Sequence, residues 1–166
     1  AAAAIRHFLE PTSIAVVGAS RRPGSVGGQT LRNLLSCGFD GAVYAVNRRA
    51  RRVQGLAAHR SVADLPEVPE LVVVATPADE VLSVARDCAL KGVRALLVLS
   101  GGFAEMGAEG KRRQEALVAT CRAAGMRLVG DASGGQKDAE RRVEARRTHV
   151  VAAGAVQIGA ARPFRH

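Results

Sequence analysis

Two short stretches of this sequence have the residue types and spacing to hold a phosphorylated ligand. The first is Gly18-Ala-Ser-Arg-Arg-Pro-Gly-Ser-Val-Gly-Gly28. Glycines at this density let backbone N–H groups come close to a pyrophosphate. A helix that follows them adds partial positive charge at its N-terminus. Ser20 and Ser25 offer further hydroxyl donors. The stretch is longer than the GxGxxG dinucleotide fingerprint and does not match it. The second is Asn47-Arg-Arg-Ala-Arg-Arg52, with four guanidiniums and no carboxylate. Guanidinium pairs with phosphate through charge-assisted, often bidentate hydrogen bonds.

Two further stretches end apolar runs with small or polar residues. Ala75-Thr-Pro-Ala78 reads in two ways: as a turn packed against a ligand, or as a helix start with Thr76 as cap and Pro77 at the first helical position. Ser100-Gly-Gly-Phe-Ala-Glu105 again permits close backbone approach. No Ser/His/Asp set, metal-ligand spacing or paired acids accompany them. His7, His59, His149 and His166 are isolated and read as surface residues.

The elements that must position these stretches are legible as apolar periods. Ser13–Val17, Ala42–Val46, Leu71–Ala75, Ala95–Leu99 and Met126–Val129 are nearly unbroken apolar runs and predict five strands. Helical spacing predicts helices over Gln29–Ser36, Ala78–Lys91 and Gly110–Ala124, with one short helical turn at Ser61–Leu65. On the first helix Leu31, Leu34 and Leu35 share a face, and Asn47–Arg52 reads as a polar basic turn. Fully apolar strands alternating with helices predict an α/β, Rossmann-like, doubly wound and mainly parallel sheet. Such sheets bind ligands beyond the carboxyl ends of their strands. Gly18, Asn47, Thr76 and Ser100 should therefore converge on one crevice. A plain NAD site would place Asp or Glu where Asn47 stands. The basic turn favours instead a phosphate on the ribose, as in coenzyme A or NADP.

The 166 residues suit one domain, and 48% of them are apolar, enough for a core. The 24 basic residues against 15 acidic leave a net charge of +9. Basic charge alone can attract nucleic acid, but there is no nucleic-acid motif and almost no aromatic to stack bases. No apolar run has membrane-spanning length, and no secretory signal opens the sequence, so a cytoplasmic protein is expected. Cys37, Cys88 and Cys121 are widely spaced and read as reduced, buried small residues.

Taken in order, Pro11-Thr-Ser-Ile-Ala-Val-Val-Gly-Ala-Ser20, Pro23-Gly-Ser-Val-Gly27, Val43-Tyr-Ala-Val-Asn47, Ser61-Val-Ala-Asp-Leu-Pro66 and Leu99-Ser-Gly-Gly-Phe-Ala-Glu105 closely resemble the CoA-binding domain family. That module opens the succinyl-CoA synthetase alpha subunit, the ADP-forming acyl-CoA synthetases and the protein acyltransferases that carry a GNAT domain. The resemblance runs from about Phe8 to Gly130. It implies that Ser20, Gly24, Ser25 and Val26 touch the CoA phosphates and pantetheine, while Gly18 and Gly27 of the same glycine loop are cofactor-binding candidates from the loop's own chemistry. It also implies that Asn47, Arg48 and Arg49 hold the adenosine end, and that Ala75, Thr76, Pro77 and Ser100 lie beside the cofactor. Family members usually have proline after the asparagine and then a basic residue. Here Arg48 replaces the proline and Arg49 matches. After Gly130 the family's Gly-Pro-Asn pattern is lost. The chain is thus expected to be a CoA-binding domain over 1–130 with an Arg-rich, partly irregular tail over 131–166. By itself the module binds CoA or an acyl-CoA without catalysis. A longer parent would be an acid–CoA ligase or protein acyltransferase, its partner domains lying outside this chain. Other readings are an NADP-binding domain of a reductase or redox sensor, and a remnant that folds without binding.

Overall fold

A computed structural model describes residues 2–101, 103 and 106–130. The expected tail over 131–166 lies outside the described residues. The elements are α1 (Ala2–Leu9), β1 (Ser13–Val17), α2 (Val26–Ser36), β2 (Ala42–Val46), β3 (Arg52–Val53), β4 (Leu56–His59), β5 (Leu71–Val74), α3 (Ala78–Lys91), β6 (Ala95–Val98), α4 (Gly107–Ala123) and β7 (Arg127–Gly130).

The five apolar runs are all strands, and they pair in parallel. The full sheet has seven strands in the order β3-β4-β2-β1-β5-β6-β7. Without β3, this is the doubly wound order that starts in the middle and builds outward both ways. The chain reverses direction of winding between β1 and β5, and a crevice opens there.

Period-two alternation divides each central strand between two cores. Ile14, Val16, Leu71, Val73, Ala95 and Leu97 face the side holding Phe8 of α1 and Leu31 and Leu34 of α2. Ala15, Val17, Val72, Val74, Leu96 and Val98 face Val81, Ala85 and Cys88 of α3 and Leu117 and Cys121 of α4. Both faces are covered, so both sets must be apolar.

The structure corrects several sequence expectations. The sheet gains β3 and β4, an antiparallel hairpin whose two-residue turn, Gln54-Gly55, has φ of 50° and 86°. Positive φ at both central residues is what a tight hairpin of this kind needs. Its strands, of two and four residues, are too short to stand out as apolar runs. Arg52 therefore belongs to a strand and not to the basic turn. Ser61–Leu65 is no helix. It is a turn held by Asp64 N–H to Ser61 O at 3.3 Å and Leu65 N–H to Val62 O at 3.2 Å. α2 starts at Val26 because Ser25 caps it, and α4 starts at Gly107. Leu35 faces solvent, while Leu31 and Leu34 are buried. Cys37, beyond the last turn of α2, is exposed rather than buried. Burial pushes the Cys88 thiol up to about 12 and the Cys121 thiol to about 11. Neither is a thiolate nucleophile at neutral pH. No helix among the described residues is long and apolar enough to cross a membrane.

Candidate functional site

The ends of β1, β2 and β5 are sewn together past the strands themselves. Gly18 N–H donates to Val46 O at 3.1 Å, Ala75 N–H to Val17 O at 2.8 Å, and Asn47 N–H to His59 O at 2.8 Å. Gly18 has φ of 88°, and a Cβ there would sit 2.6 Å from Ala75 O. Only glycine fits that approach.

The loop after Gly18 folds against itself. Ser20 Oγ accepts from Arg22 N–H at 3.0 Å. Ser25 Oγ donates to Arg22 O at 2.9 Å and accepts from Gly28 N–H at 3.2 Å, capping α2. A Cβ on Gly27 would collide with Gly18 O, and one on Gly28 with Ser20 O. These glycines therefore seat the start of α2 on the end of β1. Gly24 differs: its φ is 75°, and a Cβ would meet nothing within 4 Å. Ser25 is committed to the protein, whereas the Ser20 hydroxyl hydrogen stays available to a ligand. Val26 is exposed at the first turn of α2.

Asn47 is the knot between this loop and the basic turn. Its Nδ2 donates to Ala19 O at 2.7 Å, and its Oδ1 accepts from Arg49 N–H at 2.8 Å and Ala50 N–H at 2.7 Å. The amide oxygen is taken up by the turn, and Nδ2 gives one hydrogen to the glycine loop. Arg48 Nη2 lies 2.5 Å from Glu80 Oε2 of α3. Arg49 forms no ion pair among the described residues.

Between these parts lies a crevice of about 520 Å³, within the usual range for small-molecule sites. Gly18, Asn47, Arg48, Arg49, Thr76 and Pro77 line it, so the structure brings together most of the expected strand-end residues. Arg60, Ser61 and Val62, from the segment after β4, form another wall. Glu80, Ser83 and Asp87 come from α3. Ser100 is not on the surface of the crevice. It is buried behind it, its hydroxyl donating to Thr76 O. Ser20, Gly24, Ser25 and Val26 lie outside the lining of this crevice, on the glycine loop beside it.

Thr76 resolves one of the two readings of its stretch. The cap of α3 is Pro77, and no side chain caps the helix. Thr76 is therefore not the cap, and Pro77 is not the first helical residue. The Thr76 Oγ1 atom is buried and has no hydrogen-bond partner in the structure. Buried polar atoms are nearly always paired, so this hydroxyl is an exception among the described residues.

Sequence reasoning missed Arg60, Gln54 and Lys91. Arg60 adds a third guanidinium to the crevice wall. Gln54 Nε2 donates to Gly28 O at 2.7 Å and ties the hairpin to α2. Lys91 Nζ donates to Ala63 O at 3.0 Å and Leu65 O at 2.7 Å, holding the 61–65 turn against α3. Nothing in the sequence context of Gln54 or Lys91 marks them, because each bonds across more than twenty residues.

Comparison with known proteins places this geometry. Residues 12–137 match the family model described as CoA binding domain. The acetate–CoA ligase [ADP-forming] I subunit alpha of Pyrococcus furiosus is 35% identical over 130 residues, which is 76% of this chain and 28% of that protein. A dinucleotide-forming acetyl-coenzyme A synthetase 1 from Ca. Korarchaeum cryptofilum, solved with phosphate and ADP, is 40% identical with a TM-score of 0.72. That match covers 76% of this chain and 27% of the synthetase. A conserved hypothetical protein from Pyrococcus furiosus is 30% identical with a TM-score of 0.57, over 70% of this chain and 90% of that one. The chain spans about a quarter of the length of the ligases it matches. It belongs to the CoA binding domain family.

Proposed function

We propose that this chain binds coenzyme A or an acyl-CoA and positions it for chemistry done by other domains. The observation that bears most weight is the wall of Arg48, Arg49 and Arg60 at the end of β2 and β4, with no carboxylate at the strand end itself. A nucleotide with free ribose hydroxyls asks for an acid there, and one with a ribose phosphate asks for guanidinium. The Gly18–Gly28 loop, with Ser20 and the backbone near Gly24, is suited to the pyrophosphate. The relatives' names support coenzyme A over NADP as the ligand. In a longer parent the module would serve an ADP-forming acid–CoA ligase, its own part being to hold and orient the thioester.

Thermal-shift measurement with CoA, acetyl-CoA, dephospho-CoA, NADP and NAD tests the ligand, since binding to the folded state raises the melting temperature. CoA and acetyl-CoA should give the largest rise. A guanidinium–phosphate contact is worth about 1.5–3 kcal/mol when partly desolvated, roughly ten- to a hundredfold in affinity. Replacing Arg48 and Arg49 together by alanine should therefore weaken CoA to that extent and leave dephospho-CoA nearly unchanged. Equal losses for both ligands in calorimetric titration would sink the ribose-phosphate reading. We infer also that 131–166 contributes little to the site. A chain ending at Gly130 that folds but no longer binds CoA would contradict this.

A further inference from the structure

The two sides of the crevice mouth are joined by one ion pair. Arg48 stands on the turn after β2 and Glu80 in the first turn of α3, with Arg48 Nη2 2.5 Å from Glu80 Oε2. Both side chains line the crevice, Arg48 being 69% exposed and Glu80 35%. Arg49 and Arg60 line the same space without an ion pair among the described residues, so the pairing is particular to Arg48. α3 presents Glu80, Ser83, Val84 and Asp87 to the crevice, one helical face with two carboxylates opposite the arginines.

A carboxylate on a guanidinium uses the same donors that a phosphate would use. Glu80 holds the Nη2 side of Arg48, so a phosphate that seats on that side must take its donors from Glu80, and one that seats elsewhere still meets the carboxylate at short range. We propose that Glu80 is a built-in competitor of the ligand's ribose phosphate: it pairs with Arg48 in the crevice and lowers the affinity for ligands that carry that phosphate. This rests on the reading of the crevice as a CoA site. A ligand without the ribose phosphate does not contend for Arg48 and escapes the penalty. Glu80 thus narrows the gap between CoA and dephospho-CoA and favours release of CoA.

An exposed ion pair is weak, and removing the carboxylate also removes its repulsion of the phosphate. Glu80→Gln should therefore tighten CoA by about three- to tenfold, and dephospho-CoA should stay within about twofold. The glutamine keeps the shape and the helical propensity of the residue. The test is calorimetric titration of the 166-residue chain as wild type, E80Q, R48A and the double variant, against CoA and dephospho-CoA. The gain should vanish in the R48A background and shrink at about 0.5 M salt, where exposed charges are screened. Unchanged or weakened CoA binding in E80Q overturns the proposal, as does an equal gain for both ligands or a gain that persists without Arg48. If the wild type binds neither ligand, the CoA reading falls and the role of Glu80 with it. If it binds CoA and E80Q does not alter that, only the role of Glu80 falls.

Discussion

The glycine loop and the arginine turn flank the same crevice, yet they spend their polar groups in opposite ways. In the loop the hydroxyl of Ser25 bonds to the loop's own backbone, and Gly27 and Gly28 are pressed against Gly18 O and Ser20 O. In the turn a single amide, that of Asn47, makes three bonds to the backbone. The arginines are left free of the turn: Arg48 reaches across the crevice to Glu80, and Arg49 forms no ion pair among the described residues. The glycines are required first by the protein's own close packing, whatever ligand they also admit. On the proposed reading selectivity rests with side chains that take no part in that close packing. Stability and discrimination then belong to different segments, and substitutions should separate them.

The largest effect belongs to Gly27. Any Cβ there meets the backbone of Gly18, which cannot swing aside as a side chain tip can. Gly27→Val should cost more than about 3 kcal/mol, the scale of severe overpacking, and lower the melting temperature by about 10 °C or more. A variant that melts within a few degrees of wild type would show that α2 can back away from β1. The loop would then be a soft cradle and not a packed joint.

Asn47→Ala should come next. It removes three hydrogen bonds and leaves the half-buried end of the glycine loop without its partner from β2. At about 1 kcal/mol for each bond, the loss is about 2–3 kcal/mol in denaturant unfolding. The arginines would also lose their platform, so CoA affinity should fall with stability. If stability falls and affinity does not, the turn needs no fixed shape to attract phosphate, and the comparison weakens on the side of the turn.

How far this was legible follows from range. β1, β2, β5, β6, β7 and α3 were legible because an apolar run or a helical period is a local signal. The convergence of Gly18, Asn47 and Thr76 followed from the topology that those strands imply. The β3–β4 hairpin was not, since Arg52-Val53 is two residues long and Leu56–His59 only four, with little β-branched character. Nor was the role of Lys91, whose ammonium reaches carbonyls of a turn more than twenty residues back. Thr76 shows the limit well. Its sequence context is an ordinary helix start, and only the geometry shows that its hydroxyl is not used as a cap.

The smallest effect should be at Gly24, the one loop glycine whose Cβ would point into open space. There only the backbone objects. With φ at 75°, alanine pays the left-handed penalty of about 1 kcal/mol, a fall of roughly 3–5 °C in melting temperature. Asparagine tolerates that region better, so Gly24→Asn should recover part of the loss while adding a larger side chain. The pair separates conformation from contact. If Gly24 serves only the turn, Ala should be the more damaging variant by every measure. If the backbone at Gly24 also lies against the pyrophosphate, the order reverses for binding. Asn would then be more stable than Ala and yet weaken CoA and dephospho-CoA more, and by equal factors, since both ligands carry the pyrophosphate. Melting curves and calorimetric titrations of the two variants give both orders. A loss confined to CoA would instead tie Gly24 to the arginine turn and erase the division of labour between loop and turn.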